Sequence, residues 1–65
     1  MISPYEAIEF LEKQGLTQQQ IAALTGTQQG YISRLKSRSI KSPSYQVTDK
    51  LRLLVEKMKS ENGVS

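Results

Sequence analysis

Amide, hydroxyl and guanidinium side chains gather between positions 28 and 34 of this 65-residue chain. Ile32 and Leu35, three residues apart, predict a helix in which this pair faces inward. The polar residues on the other side of that helix are Gln28, Gln29, Ser33 and Arg34. Glutamine amides pair with adenine edges, and arginine guanidinium groups pair with guanine edges, in the major groove of DNA. We therefore expect these four side chains to read DNA bases.

A base-reading helix needs a second helix to hold it, and the preceding segment has the residues to form one. Thr17 and Gln20 have the spacing of a capping box, which marks a helix start. Gly26 suits the left-handed conformation that ends a helix. The buried stripe predicted for this helix is Ile21, Ala22 and Leu24. Two short helices joined by a glycine turn are the outline of a helix-turn-helix.

Residues 18–36 resemble the helix-turn-helix of the phage repressor and Cro family, the lambda-repressor-like domains. In that family a glutamine opens the first helix, as Gln18 does here. An aliphatic residue and an alanine follow three and four positions later, matched by Ile21 and Ala22, and Gly26 stands at the turn. The inward aliphatic pair of the second helix completes the match.

Three residues depart from the family's pattern. Thr25 stands where an apolar residue is usual, and the same holds less strictly for Thr27. Gly30 lies inside the second helix, where glycine costs about 1 kcal/mol relative to alanine. Gly30 either weakens this helix locally or lets its backbone approach the groove closely, and the sequence leaves both interpretations open.

The flanking segments complete one all-α domain over residues 1–65. Ser3, Pro4 and Glu6 signal a helix start by a cap, a proline at the first helical position and a capping box. Apolar residues at helical spacing predict a long final helix. We expect helices over about 4–14, 18–25, 28–37 and 43–60. The resemblance implies that they form a compact, lambda-repressor-like bundle of four.

The final helix carries more apolar surface than a small core can cover. Its stripe consists of Tyr45, Val47, Leu51, Leu54, Val55 and Met58. Exposed apolar surface of this kind marks a protein interface. We expect a homodimer whose contact residues are Phe10, Leu54, Val55 and Met58.

Charge is distributed unevenly along the chain. The net charge is +3, but residues 1–25 carry −2 and residues 26–52 carry +5. A basic block that coincides with the base-reading segment and the loop after it suits attraction to phosphate. In that loop Ile40 is expected to plug into the core. The residues that we expect to contact the DNA backbone are Gln18, Thr27, Tyr31, Lys36, Arg38 and Lys41.

The composition excludes several other classes of protein. Cysteine and histidine are both absent, which excludes disulfide and zinc staples and removes the commonest nucleophile and general base. We expect no enzymatic activity, no metal, no cofactor and no small-molecule effector. The first ten residues lack the apolar run of a signal peptide or a membrane span, so a cytoplasmic location is expected.

The resemblance implies a sequence-specific regulator of phage or prophage origin. We expect a Cro-like repressor that acts as a dimer on an inverted-repeat operator by occluding a promoter in the bacterial cytoplasm. The alternative is a protein-interaction module, such as an antitoxin or an adaptor, that uses the final helix to bind a partner. RNA binding has little support, because no aromatic platform for unstacked bases is interleaved with the basic residues.

Overall fold

The computed structural model describes residues 3–63, with side chains described through Ser60. Four helices and no strand make up this part of the chain, which confirms the predicted all-α class. The helices are α1 (Pro4–Lys13), α2 (Gln18–Thr25), α3 (Gln29–Lys36) and α4 (Tyr45–Gly63). α1 packs against α3 and α4, and α2 packs against α3. Within the described range, no helix combines the length and hydrophobicity that a membrane span requires.

Capping boxes start the first two helices, as the sequence predicts. The Glu6 backbone nitrogen donates to the Ser3 hydroxyl at 3.4 Å, and the Ser3 nitrogen donates to the Glu6 carboxylate at 3.0 Å. The Gln20 nitrogen donates to the Thr17 hydroxyl at 3.1 Å, and the Thr17 nitrogen donates to the Gln20 amide oxygen at 2.8 Å. Each box satisfies two backbone donors that a helix start would otherwise leave unpaired.

All four helices contribute fully buried aliphatic side chains to one core. These side chains are Ile8 and Leu11 from α1, Ile21 from α2, Ile32 from α3 and Leu51 from α4. Complete burial of a Leu or Ile side chain stabilises a fold by roughly 1.5–3 kcal/mol. Each helix is therefore anchored by at least one such residue, and the outer face of α3 is held in a fixed orientation.

Two residues that the sequence places in apolar stripes are exposed instead. Leu24 is 56% exposed and Tyr45 is 79% exposed. The buried face of α2 includes Thr25, and Leu24 precedes that residue by about 100° around the helix. Tyr45 lies about 200° before Val47, on the far side of α4 from the core. Helical spacing alone did not locate the centre of either buried face.

Thr25 occupies a core position, at which the resemblance described above implies an apolar residue. It is 2% exposed, and its hydroxyl donates to the Ile21 carbonyl oxygen at 2.8 Å. A buried hydroxyl is costly only when it lacks a hydrogen-bond partner. The bond back into its own helix therefore explains how this departure is tolerated.

α2 ends in the left-handed turn that the sequence predicts at Gly26, whose φ is +73°. The Thr27 nitrogen donates to the Ala22 carbonyl at 2.9 Å, and the Gly26 nitrogen donates to the Ala23 carbonyl at 3.4 Å. This pair of bonds is the Schellman motif that closes helix C-termini. α3 then begins two residues after Thr27.

Candidate nucleic-acid interface

The outer side of α3 presents all four residues that we expect to read bases. Gln28 is the residue preceding the helix, and Gln29 is its first residue. Both are exposed, as are Ser33 and Arg34 farther along the same helix. The Arg34 Nε atom donates to the Gly30 carbonyl oxygen at 3.4 Å, so this side chain lies back along the surface of α3. The structure brings these side chains together on one surface, and their role as base readers stays a prediction.

Gly30 leaves open space beside the first turn of α3. An added Cβ atom at this position would meet no heavy atom within 4 Å. The surrounding protein therefore does not require a glycine here. A missing side chain that the fold does not need is compatible with close approach of the helix backbone to a ligand.

The turn that follows α3 holds Arg38 in a left-handed conformation, with a φ of +64°. The Arg38 nitrogen donates to the Leu35 carbonyl at 3.2 Å, and the Ser39 nitrogen donates to the Arg34 carbonyl at 2.9 Å. The Arg38 guanidinium carbon lies 3.9 Å from the centre of the Tyr5 ring. This distance is typical of a cation–π contact. The sequence does not indicate this contact, because 33 residues separate Tyr5 from Arg38.

Glu12 connects the last turn of α1 to two of the residues expected to contact phosphate. Its Oε1 atom accepts a hydrogen bond from Lys36 Nζ at 2.6 Å, and its Oε2 atom accepts one from Gln18 Nε2 at 3.1 Å. The bond from Lys36, assisted by the bond from Gln18, lowers the pKa of the Glu12 carboxyl group. The same bond raises the pKa of Lys36. Sequence reasoning missed Glu12, although an acid in the last turn of a helix is an unfavourable placement that could have drawn attention to it.

Tyr31 links α3 to the start of α4. Its hydroxyl oxygen accepts a hydrogen bond from the Ser44 backbone nitrogen at 2.6 Å, and its ring packs against the core. This bond satisfies a donor at the start of α4. Because it uses only an acceptor position of the hydroxyl, the hydroxyl proton can still be donated to a phosphate oxygen.

The remaining expected backbone contacts flank α3. Thr27 is half-buried in the turn before the helix, and Lys41 is exposed in the loop after it. Ile40 packs partly buried against the core, as predicted. The loop is thereby fixed at its apolar residue, with its polar neighbours outside.

The predicted dimer contact needs one correction. Val55 is only 3% exposed and belongs to the core, because it shares one face of α4 with Val47 and Leu51. It cannot present a surface to a partner. Phe10, Leu54 and Met58 are partly buried against the same core. Phe10 also lies near a cation, with Lys59 Nζ at 5.6 Å from the ring centre.

The exposed apolar surface lies beside the predicted one. Leu24 of α2 and Leu53 of α4, which is 51% exposed, line a shallow groove. The other lining residues are Leu54 and two lysines, Lys50 and Lys57. The helical period alone places Leu24 inside α2, so the sequence does not indicate that this residue lies at the surface.

Ion pairs reduce part of the basic block's charge. On α4, Arg52 bonds to Asp49 at 2.6 Å and to Glu56 at 3.2 Å. These pairs are exposed, and such pairs contribute little to stability. Together with the bond between Lys36 and Glu12, they neutralise two of the six cations between residues 26 and 52.

Comparison with known proteins identifies the central part of this architecture. A family model described as helix-turn-helix matches residues 8–52, more than two thirds of the chain. No curated protein and no solved structure matches the chain. The matched range contains α1 from Ile8 onward, all of α2 and α3, the basic loop between α3 and α4, and the first eight of the 19 residues of α4.

Proposed function

The chain belongs to the lambda-repressor-like helix-turn-helix family of DNA-binding regulators, and we propose that it is a sequence-specific, Cro-like repressor of phage or prophage origin. It would repress by steric occlusion of a promoter in the host cytoplasm. The observation that carries the proposal is the exposed row of amide, hydroxyl and guanidinium groups on α3, the second helix of the motif. In helix-turn-helix proteins the second helix enters the major groove with its first residues against the base edges.

In this arrangement Gln29 in the first turn of α3 and Arg34 in the second turn do most of the reading. The Gln29 amide offers one donor and one acceptor, which match the N7 and N6 positions of adenine. The Arg34 guanidinium would leave the surface of α3 and donate to guanine O6 and N7. Gln28 assists from the residue before the helix, and Ser33 lies between the two main readers.

Backbone contacts on both sides of α3 would orient it without reading sequence. On one side are the start of α2 and the turn before α3. On the other side are the end of α3 and the basic loop. The contributing residues are Gln18, Thr27, Tyr31, Lys36, Arg38 and Lys41.

Selection of binding sites from random duplexes tests this proposal directly. Gln29→Ala and Arg34→Ala should each cost roughly 1–3 kcal/mol on the selected site and relax the preference at one position of the half-site. Lys41→Ala is the matched control, because loss of a phosphate contact should weaken selected and random duplexes alike. Equal weakening of all duplexes by Gln29→Ala and Arg34→Ala would refute the assignment of base readers.

The protein would act as a dimer on an inverted repeat. One recognition helix reads only a few base pairs, so a second copy on a half-site about 34–36 Å away supplies the missing specificity. The groove at Leu24 and Leu53 is a better contact surface than the core residue Val55. Two α4 helices packed antiparallel about Leu53 would place Lys50 level with Glu56 of the other copy.

The same antiparallel register places Lys57 level with Asp49 of the other copy, so the helix is complementary in charge to itself. Leu53→Glu should abolish cooperative binding to the full operator while each half-site is still bound. Ser60→Glu, which adds the same charge at an exposed position of α4, should leave cooperativity intact. Equal cooperativity in the two variants would exclude this contact.

The groove also supports a second candidate function, a protein-interaction module such as an antitoxin or an adaptor. Its apolar residues and flanking lysines suit a partner segment that carries carboxylates. Salt dependence separates the two candidates. DNA affinity falls steeply with salt because bound counterions are released, whereas the affinity of an apolar groove with only two flanking lysines falls much less.

A further inference from the structure

One carboxylate joins the two ends of the helix-turn-helix. Glu12 of α1 accepts hydrogen bonds from Gln18, the first residue of α2, and from Lys36, the last residue of α3. Its side chain is 26% exposed and that of Lys36 is 38% exposed, so water and a ligand can reach the pair. The α1 carboxylate therefore holds two donors that lie at opposite ends of the motif.

These donors are the groups that a DNA phosphate would use. A carboxylate and a phosphate are both anionic oxygen acceptors, and each binds lysine and amide donors by charge-assisted hydrogen bonds. We propose that Glu12 competes with the DNA backbone for Lys36 and Gln18, and thereby weakens the sequence-independent part of DNA binding. This inference rests on the proposed DNA-binding face.

The position of Glu12 in α1 indicates that this residue does not serve to stabilise α1. It lies in the last turn of α1, where the partial negative charge of the helix end disfavours an acid. The start of α1 is secured separately by Ser3 and Glu6. Glutamine at position 12 would remove the unfavourable charge and keep a side chain of similar size, so the variant should fold.

Electrostatics sets the size of the expected effect. A phosphate bound to Lys36 would lie about 6 Å from the Glu12 carboxylate, and two unit charges at that distance in water change a binding constant about threefold. In the wild type, the contact between Lys36 and a phosphate should cause little net release of cations. The phosphate loses a bound cation, but the Glu12 carboxylate, which has lost Lys36, attracts one in its place. Without Glu12, the phosphate contact should steepen the salt dependence by about one unit.

The experiment compares Glu12→Gln with Glu9→Gln on random-sequence duplexes about two helical turns long. Glu9 lies on the same helix and attracts Lys36 at longer range, so its variant makes the same change in net charge. Lys36→Ala is measured alone and together with Glu12→Gln. Circular dichroism checks that each variant is helical.

We expect Glu12→Gln to raise the affinity about threefold or more relative to Glu9→Gln and to steepen the salt slope by about one unit. Lys36→Ala should change the slope little in the wild type and by about one unit in the Glu12→Gln background. Equal affinities for the two glutamine variants would overturn the inference. Weaker binding by Glu12→Gln would also overturn it, because Glu12 would then position its donors for the phosphate. No binding of any duplex by any variant would refute the proposed function itself.

Discussion

One turn precedes and another follows α3, the proposed recognition helix, and the backbones of the two turns are nearly the same. The turn before α3 has Gly26 at a φ of +73°, and the turn after it has Arg38 at a φ of +64°. In both, two successive backbone nitrogens donate to carbonyls of the preceding helix in the Schellman pattern. The difference is the residue type at the left-handed position.

Glycine adopts this conformation without steric cost, whereas a residue with a Cβ atom pays about 1–2 kcal/mol. The first turn therefore uses the residue that serves the fold. In the second turn the left-handed residue is Arg38, whose backbone is strained. Its guanidinium group places a positive charge at the end of α3, stacked on the Tyr5 ring. Strained backbone is often found at functional sites, which agrees with the proposed contact between Arg38 and DNA phosphate.

The largest effect is expected at the first turn. Gly26→Ala should lower the free energy of unfolding by about 1–2 kcal/mol, because alanine is strained in the left-handed region. The nearest atom to the new methyl group, Lys50 Nζ, would be at 3.5 Å, an ordinary contact. In a domain of this size each kcal/mol lowers the melting temperature by roughly 4–8 °C, which circular dichroism would measure.

Gly30→Ala is the matched control, since Gly30 is helical and has open space around it. It should leave stability unchanged or raise it by up to about 1 kcal/mol. Equal destabilisation by both substitutions would show that the left-handed backbone is not the cause.

A smaller effect separates strain from charge at the second turn. Arg38→Gly and Arg38→Ala both remove the guanidinium group, but only alanine keeps the strain. The glycine variant should therefore be more stable than the alanine variant by about 1 kcal/mol in chemical denaturation. Both should weaken DNA binding equally and reduce the salt slope by about one unit. If the two variants were equally stable, the comparison of the turns would fail.

The smallest effect concerns the ring beneath Arg38. Tyr5→Leu removes the aromatic face, and an exposed cation–π contact contributes about 0.5–1 kcal/mol. DNA affinity should fall about two- to fivefold in a filter-binding or fluorescence titration. Tyr5→Phe keeps the ring and should bind nearly as well as the wild type. In the Arg38→Ala background the two Tyr5 variants should bind alike, and any difference there would mean that Tyr5 acts by another route.

Features set by neighbouring residues could be predicted from the sequence. Both capping boxes involve residues three apart, and Gly26 ends its helix through bonds to residues within five positions. The inward pair of α3 follows from helical periodicity alone. In each case the physical cause lies within about one helical turn of the residue concerned.

Features that join distant segments could not be predicted in this way. Helical periodicity places Leu24 inside α2, but the orientation of the neighbouring helices leaves it exposed. Val55 was expected at a surface, but the packing of the bundle buries it in the core. The bond between Glu12 and Lys36 spans 24 residues, so only the assembled bundle brings the two together. Local spacing cannot indicate which polar groups tertiary packing will pair.

The hydrogen bond from the Ser44 nitrogen to the Tyr31 hydroxyl has a consequence for how well sequence preference survives in concentrated salt. This bond joins the recognition helix to the residue before α4 through two uncharged groups, and each of the two helices also contributes buried side chains to the shared apolar core. Screening by ions weakens attraction between separated charges but hardly affects such contacts. High salt should therefore weaken the contacts with phosphate without changing the orientation of the recognition helix. The affinity for DNA should fall, and the preference for the specific sequence should remain.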